Sequence, residues 1–184
     1  MKRLLSFLSL VALCLTTSVS VVSAQSADEK YPSKKGLQGE WTYSGLTFQN
    51  RGGGDFANMV VATLQMQSAQ IEQLAGVKAG DIVLNLDGKQ AIATMKESKA
   101  TCDYEYAPKS GVITVSGTAN GKAWSLEGII IAQGNDIHIY CDVNKLIACA
   151  KQVNPEITTD QKVATLINML SSQQGIYIGA KFKR

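Results

Sequence analysis

His138 is the one histidine of the sequence, and it stands between two isoleucines at positions 137 and 139. A lone histidine could act as a general base or as a metal ligand. In a β-strand, however, alternation turns His138 to the face opposite both isoleucines. Because there is no second histidine to help build a metal site or a nucleophile–base–acid set, we interpret His138 as a solvent-facing or hydrogen-bonded residue.

Asp103 and Glu105 lie two residues apart in a strand-like segment, so both carboxylates would share one face. Such a pair could do acid–base work, but an ordinary polar outer face of a strand has the same pattern, and we favour that interpretation. The run Gly52-Gly53-Gly54 could receive an anion at a helix start, but Asp55 would repel it. We therefore predict no catalytic residue, no metal site and no cofactor.

Aromatic residues on the inward faces of the predicted strands are the candidate ligand-binding groups. They could line an apolar pocket with a few polar tips, as many small-ligand sites do. The same residues would also make a good barrel core, and both interpretations are open at this point. The candidates, which include one leucine, are Trp41, Tyr43, Tyr104, Tyr106, Trp124 and Leu126.

Residues 1–24 have the pattern of an export signal peptide. Two basic residues precede a mostly apolar run at residues 4–15, and Val22-Ser23-Ala24 offers compact residues for a signal peptidase. Threonines and serines interrupt the run before the ~20 residues that a spanning helix needs, so we predict no transmembrane segment in the mature chain. We expect cleavage after Ala24 and a location in the periplasm or outside the cell.

The charge balance and length of the mature chain argue for one near-neutral domain. Without residues 1–24 the chain holds 16 basic and 15 acidic residues, which gives no electrostatic signature for nucleic acid, and we predict no such partner. Its length suits one domain with a real core. Polar residues 25–36 are predicted to form a flexible tether, and residues 37–184 to form the domain.

Three cysteines remain after the predicted cleavage: Cys102, Cys141 and Cys149. In an exported protein this odd number permits at most one internal disulfide and leaves at least one free thiol. Their spacing matches no zinc pattern. We favour buried and unreactive thiols over a functional pair.

Alternation and turn signals at intervals of about ten residues predict six strands between residues 81 and 142. Asp87-Gly88 and Asn120-Gly121 are the strongest hairpin turns among them. A further strand begins at residue 39, and the last occupies residues 175–182. Eight antiparallel strands can close into a barrel, which leaves no exposed edge; an open sheet covered by helices on one face is the alternative.

Helices are predicted after the first strand and before the last. Asp55 is the expected cap of the first helix and Gly76 its left-handed end. A second short helix follows residue 142, and a third follows Pro155. The apolar stripe of the first helix consists of Phe56, Val60, Leu64, Ile71 and Leu74, and that of the second of Val143, Leu146, Ile147 and Ala150.

Gly39 and Trp41 resemble the Gly-x-Trp pattern that opens the eight-stranded barrel of lipocalins. More closely, the chain resembles a family of uncharacterised exported lipocalin-like proteins from Gram-negative gut bacteria. The matching parts are Gly39-Glu40-Trp41-Thr42-Tyr43, the helix after the first strand, Asp87-Gly88, Tyr104-Glu105-Tyr106 and residues 175–183. The resemblance brings no established activity.

The resemblance implies a mainly β fold, an eight-stranded antiparallel lipocalin-like barrel with helical insertions after strand 1 and before strand 8. It also implies a basic side chain from the end of the chain on Trp41, with Lys181, Lys183 and Arg184 as candidates. We expect a non-catalytic exported protein that binds a small apolar ligand in the barrel. The alternative is a structural or protein-interaction module of the cell envelope with a filled core.

Overall fold

A computed structural model shows a closed antiparallel barrel in which eight strands pair in sequence order and the last strand pairs with the first. The structure describes residues 29–74, 76–119, 121–153, 171 and 174–184. The predicted eight-stranded, mainly β barrel is confirmed, and the open sheet is wrong. The strands are β1 (Gly39–Asn50), β2 (Ile82–Leu86), β3 (Gln90–Met95), β4 (Ser98–Ala107), β5 (Val112–Ala119), β6 (Lys122–Gln133), β7 (Asp136–Asp142) and β8 (Ile176–Lys183).

The barrel has two different ends. We call one of them the closed end, because β1 begins there, β8 ends there and the short helix α1 (Lys34–Leu37) covers it. Leu37 of this helix is only 1% exposed. At the opposite end, the mouth, lie the remaining described helices. These are α2 (Asp55–Met66) and α3 (Ser68–Leu74) after β1, and α4 (Val143–Val153) after β7. Helical insertions thus stand where they were predicted, while the helix expected after Pro155 lies outside the described residues.

The hairpin predicted at Asp87 and Gly88 joins β2 to β3 at the closed end. Gly88 has a φ of +104°, a left-handed conformation that favours glycine. The Asp87 carboxylate accepts hydrogen bonds from the backbone N–H groups of Gln90 at 2.7 Å and Lys89 at 2.9 Å. These bonds hold the pKa of Asp87 below its usual value and fix the turn.

The insertion after β1 differs from the prediction because it contains two helices. The chain leaves the first helix at Gln67, a polar residue between the apolar positions Leu64 and Ile71, and the second begins at Ser68. Asp55 is the first helical residue and not the cap; Gly54 is the N-cap, without a side-chain hydrogen bond. Phe56 is 60% exposed, so it does not belong to the buried face, which Ala57 and Leu64 form. Gly76 has the left-handed conformation that was predicted, with a φ of +61°.

Helices α2 and α3 cover a part of β1 that lacks a strand on one side. β1 pairs with β2 over residues 39–42 but with β8 as far as Asn50. Along the uncovered stretch, Gln65 of α2 accepts a hydrogen bond from the Phe48 N–H at 3.1 Å. Glu72 of α3 accepts one from the Leu46 N–H at 2.9 Å. Side chains of the helices therefore satisfy backbone donors that a neighbouring strand would otherwise satisfy.

A register shift between Tyr43 and Gly45 divides β1 into two halves. Strict alternation along the strand would place Gly45 on the face of Trp41 and Tyr43. Instead Gly45 pairs with Lys181, and beyond the shift Leu46 and Phe48 contact the apolar core. The irregularity keeps apolar side chains directed inward along the whole strand.

Residues 29–36, which fall within the tether predicted over residues 25–36, contact the barrel. The Arg51 guanidinium forms an ion pair with Glu29 at 2.6 Å, and the Lys30 carbonyl accepts a hydrogen bond from the Ala132 N–H at 2.7 Å. The Tyr106 hydroxyl donates to the Pro32 carbonyl at 2.8 Å. The polar composition of this segment did not indicate these contacts, because they depend on distant residues.

Candidate functional site

Four of the six candidate ligand-binding residues lie in a filled core at the closed end. Trp41, Tyr43, Tyr104 and Tyr106 are between 2% and 8% exposed. They belong to one apolar cluster with side chains from several other strands and from α1. In this part of the barrel the aromatic residues form the core. This is one of the two interpretations that the sequence left open, the other being a ligand pocket.

Hydrogen bonds engage the polar tips of these aromatic residues. The Trp41 indole N–H donates to the Leu37 carbonyl at 2.8 Å, which fixes α1 across the closed end. The Tyr104 hydroxyl accepts from the Gly88 N–H at 2.9 Å, at the hairpin between β2 and β3. The polar groups of these aromatic side chains therefore connect the core to neighbouring segments of the chain by hydrogen bonds.

The Tyr43 hydroxyl donates to the Glu72 carboxylate at 2.6 Å, and the same oxygen of Glu72 accepts from Leu46. Burial, followed by the hydrogen bond to Glu72, raises the pKa of Tyr43, so the phenol stays protonated. Glu72 was not among the candidates from the sequence. The available signal was its position as the first charged residue after the uncharged stretch of residues 56–71.

Trp124 and Leu126 occupy the same inward face nearer the mouth, and both are half-buried. On β5 their partners are Gly117 and Val115. The Trp124 ring lies over Gly117, where an added Cβ would come within 3.0 Å of it. These two candidates therefore occupy a different environment from the four at the closed end.

The burial of inward side chains decreases from the closed end to the mouth along β3 to β7. On β6, Ile130 is fully buried whereas Leu126 and Trp124 are half-buried; on β4, Tyr104 is buried and Cys102 is half-buried. The pairing register places all of these side chains on the inward face. We give the name mouth-side lining to six half-buried inward residues on β3 to β7: Met95, Cys102, Val115, Trp124, Leu126 and Ile139.

The side of the mouth formed by β1 and β8 is filled. Phe48, Ile176 and Ile178 are buried there in a cluster with residues of α2 and α4. The partly accessible interior is therefore on the side of β2 to β7. This asymmetry follows from the helices, which cover one half of the mouth.

An open cleft of about 690 Å³ lies at the closed end, and Leu37, Tyr104 and Tyr106 of the core are among its lining residues. Asp103 and Glu105 line it together with Lys34 and Lys89. Both carboxylates are exposed, as an outer strand face predicts, and the Asp103 carboxylate accepts a hydrogen bond from Gln90 at 3.4 Å. Neither carboxylate has the desolvated surroundings that usually tune a catalytic acid.

His138 is 7% exposed and points to the outer face of the barrel, opposite Ile137 and Ile139, as alternation predicted. Its Nδ1 is 3.3 Å from the Tyr140 hydroxyl, which is in turn 3.5 Å from the Thr47 hydroxyl. Burial lowers the pKa of His138, and the nearby Lys181 lowers it further. The prediction of a hydrogen-bonded histidine is confirmed, and its exposure to solvent is excluded.

The three cysteines are free thiols, with Cys149 buried and the other two half-buried. Burial raises the pKa of all three, that of Cys141 to about 12. A thiol with a raised pKa is a poor nucleophile near neutral pH. Over the described ranges, no group of three or more histidine, cysteine or acidic residues could hold a metal ion.

The comparison with protein families identifies the chain as a lipocalin-like protein. The family described as Lipocalin-like domain (DUF4923) matches residues 10–184, and the chain belongs to this family. No curated protein and no solved structure gives a significant match. Among the helices that the structure describes, none is long and apolar enough to cross a membrane.

Proposed function

We propose that this lipocalin-like domain binds a small apolar ligand within the mouth-side lining. The observation that carries the proposal is the decrease in burial of inward side chains from the closed end to the mouth. Trp124 and Leu126 are the candidate residues that contact the ligand. Trp41, Tyr43, Tyr104 and Tyr106 support the floor of the site from the filled core below it.

The chemistry of the mouth-side lining favours an apolar ligand. Its members are aliphatic, sulfur-containing or aromatic, and none carries a charge. Apolar surface that stays accessible to water inside a barrel is unfavourable, and a ligand that covers it gains the hydrophobic free energy. Met95 adds a flexible side chain that can adjust to ligands of different shape.

A substitution at Val115 tests this proposal. Val115 faces inward opposite Leu126, so Val115→Trp would occupy the proposed ligand volume. Thr114 is its neighbour in sequence and pairs with Glu105 on the outer face, so Thr114→Trp is the matched control. In titrations with fatty acids of increasing chain length, we expect saturable binding to the native protein and to Thr114→Trp, and at least tenfold weaker binding to Val115→Trp.

Two outcomes would contradict the proposal. One is the absence of saturable binding for any member of the fatty-acid series. The other is equal binding by Val115→Trp and Thr114→Trp while thermal unfolding shows that both variants are folded. Either outcome would favour the second candidate, a structural or protein-interaction module of the cell envelope, which the filled closed end and the exposed Phe56 support.

We also propose that the protein is exported to the periplasm or the medium and acts there without catalysis. The support for export is the pattern of residues 1–24, which lie outside the described residues. Intact-mass measurement of the protein from the periplasm and the medium tests this: a chain that begins at Gln25 is expected. Full-length protein confined to the cytoplasm would contradict it.

A further inference from the structure

We propose that the outer face of α2 docks on a lipid membrane and holds the mouth of the barrel against it. Phe56, Met59 and Met66, which we call the α2 face, are 60%, 37% and 69% exposed. They are the large apolar side chains that the described residues expose to solvent. Their role in delivering an apolar ligand rests on the proposed function, whereas docking itself does not.

The three side chains lie on one side of the helix. Their spacing of three and seven residues places them within about 80° of each other around the helix axis, at 100° per residue. Thr63 falls within the same stripe, but its hydroxyl donates to the Met59 carbonyl at 3.0 Å. The stripe therefore presents an apolar surface along most of α2.

Polar side chains of α2 point toward the barrel. Asn58 accepts a hydrogen bond from Asn50 at 2.7 Å, and Gln65 accepts one from the Phe48 N–H at 3.1 Å. A surface helix normally directs such polar groups to water and its aromatic groups to the core. On α2, amides contact β1 while a phenylalanine and two methionines face solvent. Hydrogen bonds to β1 explain why the amide side chains point toward the barrel. No packing within the described part of the chain explains why the apolar side chains are exposed.

The scarcity of charge on α2 and α3 favours lipid as the occupant, because Asp55 at the start of α2 and Glu72, which is bound to β1, are their charged residues. Residues 56–71 contain no charged side chain, although 18% of the whole sequence is charged. A helix that carries bulky apolar side chains and no basic residue on its outer face can insert those side chains between lipid headgroups without attraction to anionic lipid. A partner protein recognised by charge would find on α2 only the Asp55 carboxylate at the start of the helix.

The size of the α2 face disfavours a second copy of the chain. At the exposures given above, its three side chains present on the order of 300 Å² of apolar surface. A stable dimer interface covers roughly 800 Å² on each partner, so this face alone is too small. A lipid surface needs no complementary shape, and a few inserted side chains suffice for reversible binding.

The position of α2 connects the α2 face to the mouth. α2 leaves the end of β1, and on its buried side Leu64 packs in the cluster with Phe48 and Ile178 at the mouth. A membrane that contacts the α2 face would therefore lie beside the opening of the mouth-side lining. An apolar ligand could pass between bilayer and barrel with little exposure to water.

Flotation with uncharged phosphatidylcholine vesicles tests the proposal on exported protein whose N-terminus has been read by intact mass. The native protein should float with the vesicles, and binding should persist at high salt because no ion pair is involved. Phe56→Ser combined with Met66→Ser should lower the partition coefficient at least about tenfold, because two inserted apolar side chains are lost. Phe56→Leu should retain most of the binding, and Ala107→Ser at the closed end is the positional control.

The outcomes separate this proposal from the proposed function. Fatty-acid binding by the native protein and the double variant is measured without vesicles, so a loss of flotation with intact ligand binding assigns the α2 face to the membrane. Equal flotation of native protein and double variant would overturn the proposal, as would no flotation of the native protein. Concentration-dependent dimerisation that the double variant abolishes, without vesicle binding, would overturn it in favour of a second copy.

Discussion

The guanidinium carbon of Arg184 lies 4.6 Å from the centroid of the Trp41 ring, so the last residue of the chain covers the first strand of the barrel. The same guanidinium donates hydrogen bonds to the Gly36 carbonyl at 2.6 Å and the Gln38 carbonyl at 3.1 Å. The resemblance to lipocalins implied that Lys181, Lys183 or Arg184 would pack on Trp41, and Arg184 is the residue that does so. It joins β8, α1 and β1 at the closed end.

Substitution of Arg184 should weaken the closed end. Arg184→Ala removes a cation–π contact and two hydrogen bonds, and we expect the free energy of unfolding to fall by about 1 kcal/mol. Urea denaturation measures this change. Lys183→Ala, at the exposed neighbouring position, is the control and should have little effect. Equal losses in the two variants would show that the contact with Trp41 contributes nothing specific.

Glu72 should be important for stability at the mouth. Glu72→Ala leaves the Tyr43 hydroxyl and the Leu46 N–H without their acceptor, and an unpaired buried donor costs about 1–3 kcal/mol. Glu72→Gln keeps a carbonyl acceptor and should lose much less. Gln73→Ala, on the exposed side of α3, is the control. If Glu72→Ala unfolds at the same denaturant concentration as the control, the two hydrogen bonds do not support the fold.

The lowered pKa of His138 should make the free energy of unfolding depend on pH below about 6.5. Its folded pKa lies below the unfolded value of 6.5, so the unfolded state binds the proton more readily. The stability that comes from keeping His138 neutral is complete above pH 6.5 and is lost as the pH falls below it. The thermal midpoint of the native protein should fall between pH 7.5 and pH 5 more than that of His138→Gln. Parallel pH profiles would be inconsistent with a depressed pKa.

The cysteines should react slowly in the folded protein. Because burial raises the pKa of each thiol, Cys102, Cys141 and Cys149 should be alkylated by iodoacetamide at pH 8 at no more than about a tenth of the rate of free cysteine. In guanidinium chloride without reductant, all three should react fully. Labelling of a single thiol under those conditions would reveal a disulfide between the other two.

Alternation and turn chemistry were sufficient to predict the strands and the inward faces. They could not predict how deeply each inward side chain is buried, because burial depends on what covers each end of the barrel. Tyr104 and Trp124 have the same inward orientation, yet Tyr104 is buried beside α1 and Trp124 is half-buried near the mouth. Sequence patterns therefore could not predict which candidate residues belong to the core and which to the mouth-side lining.

Contacts between distant residues account for the other differences. The break at Gln67 lies between the two helices that cover β1 through Gln65 and Glu72. The contacts of residues 29–36 depend likewise on Arg51 and Tyr106, far along the chain. Local propensity does not contain this information, because tertiary contacts decide it.

The two tryptophans of the chain allow the most direct test of ligand binding in the mouth-side lining. Trp41→Phe leaves Trp124 as the single reporter at the mouth, and Trp124→Phe leaves Trp41 as the reporter of the closed end. In a titration with a long-chain fatty acid, the emission of Trp124 should change and saturate while that of Trp41 stays constant. No saturable change at Trp124, or an equal change at Trp41, would contradict the proposed ligand site.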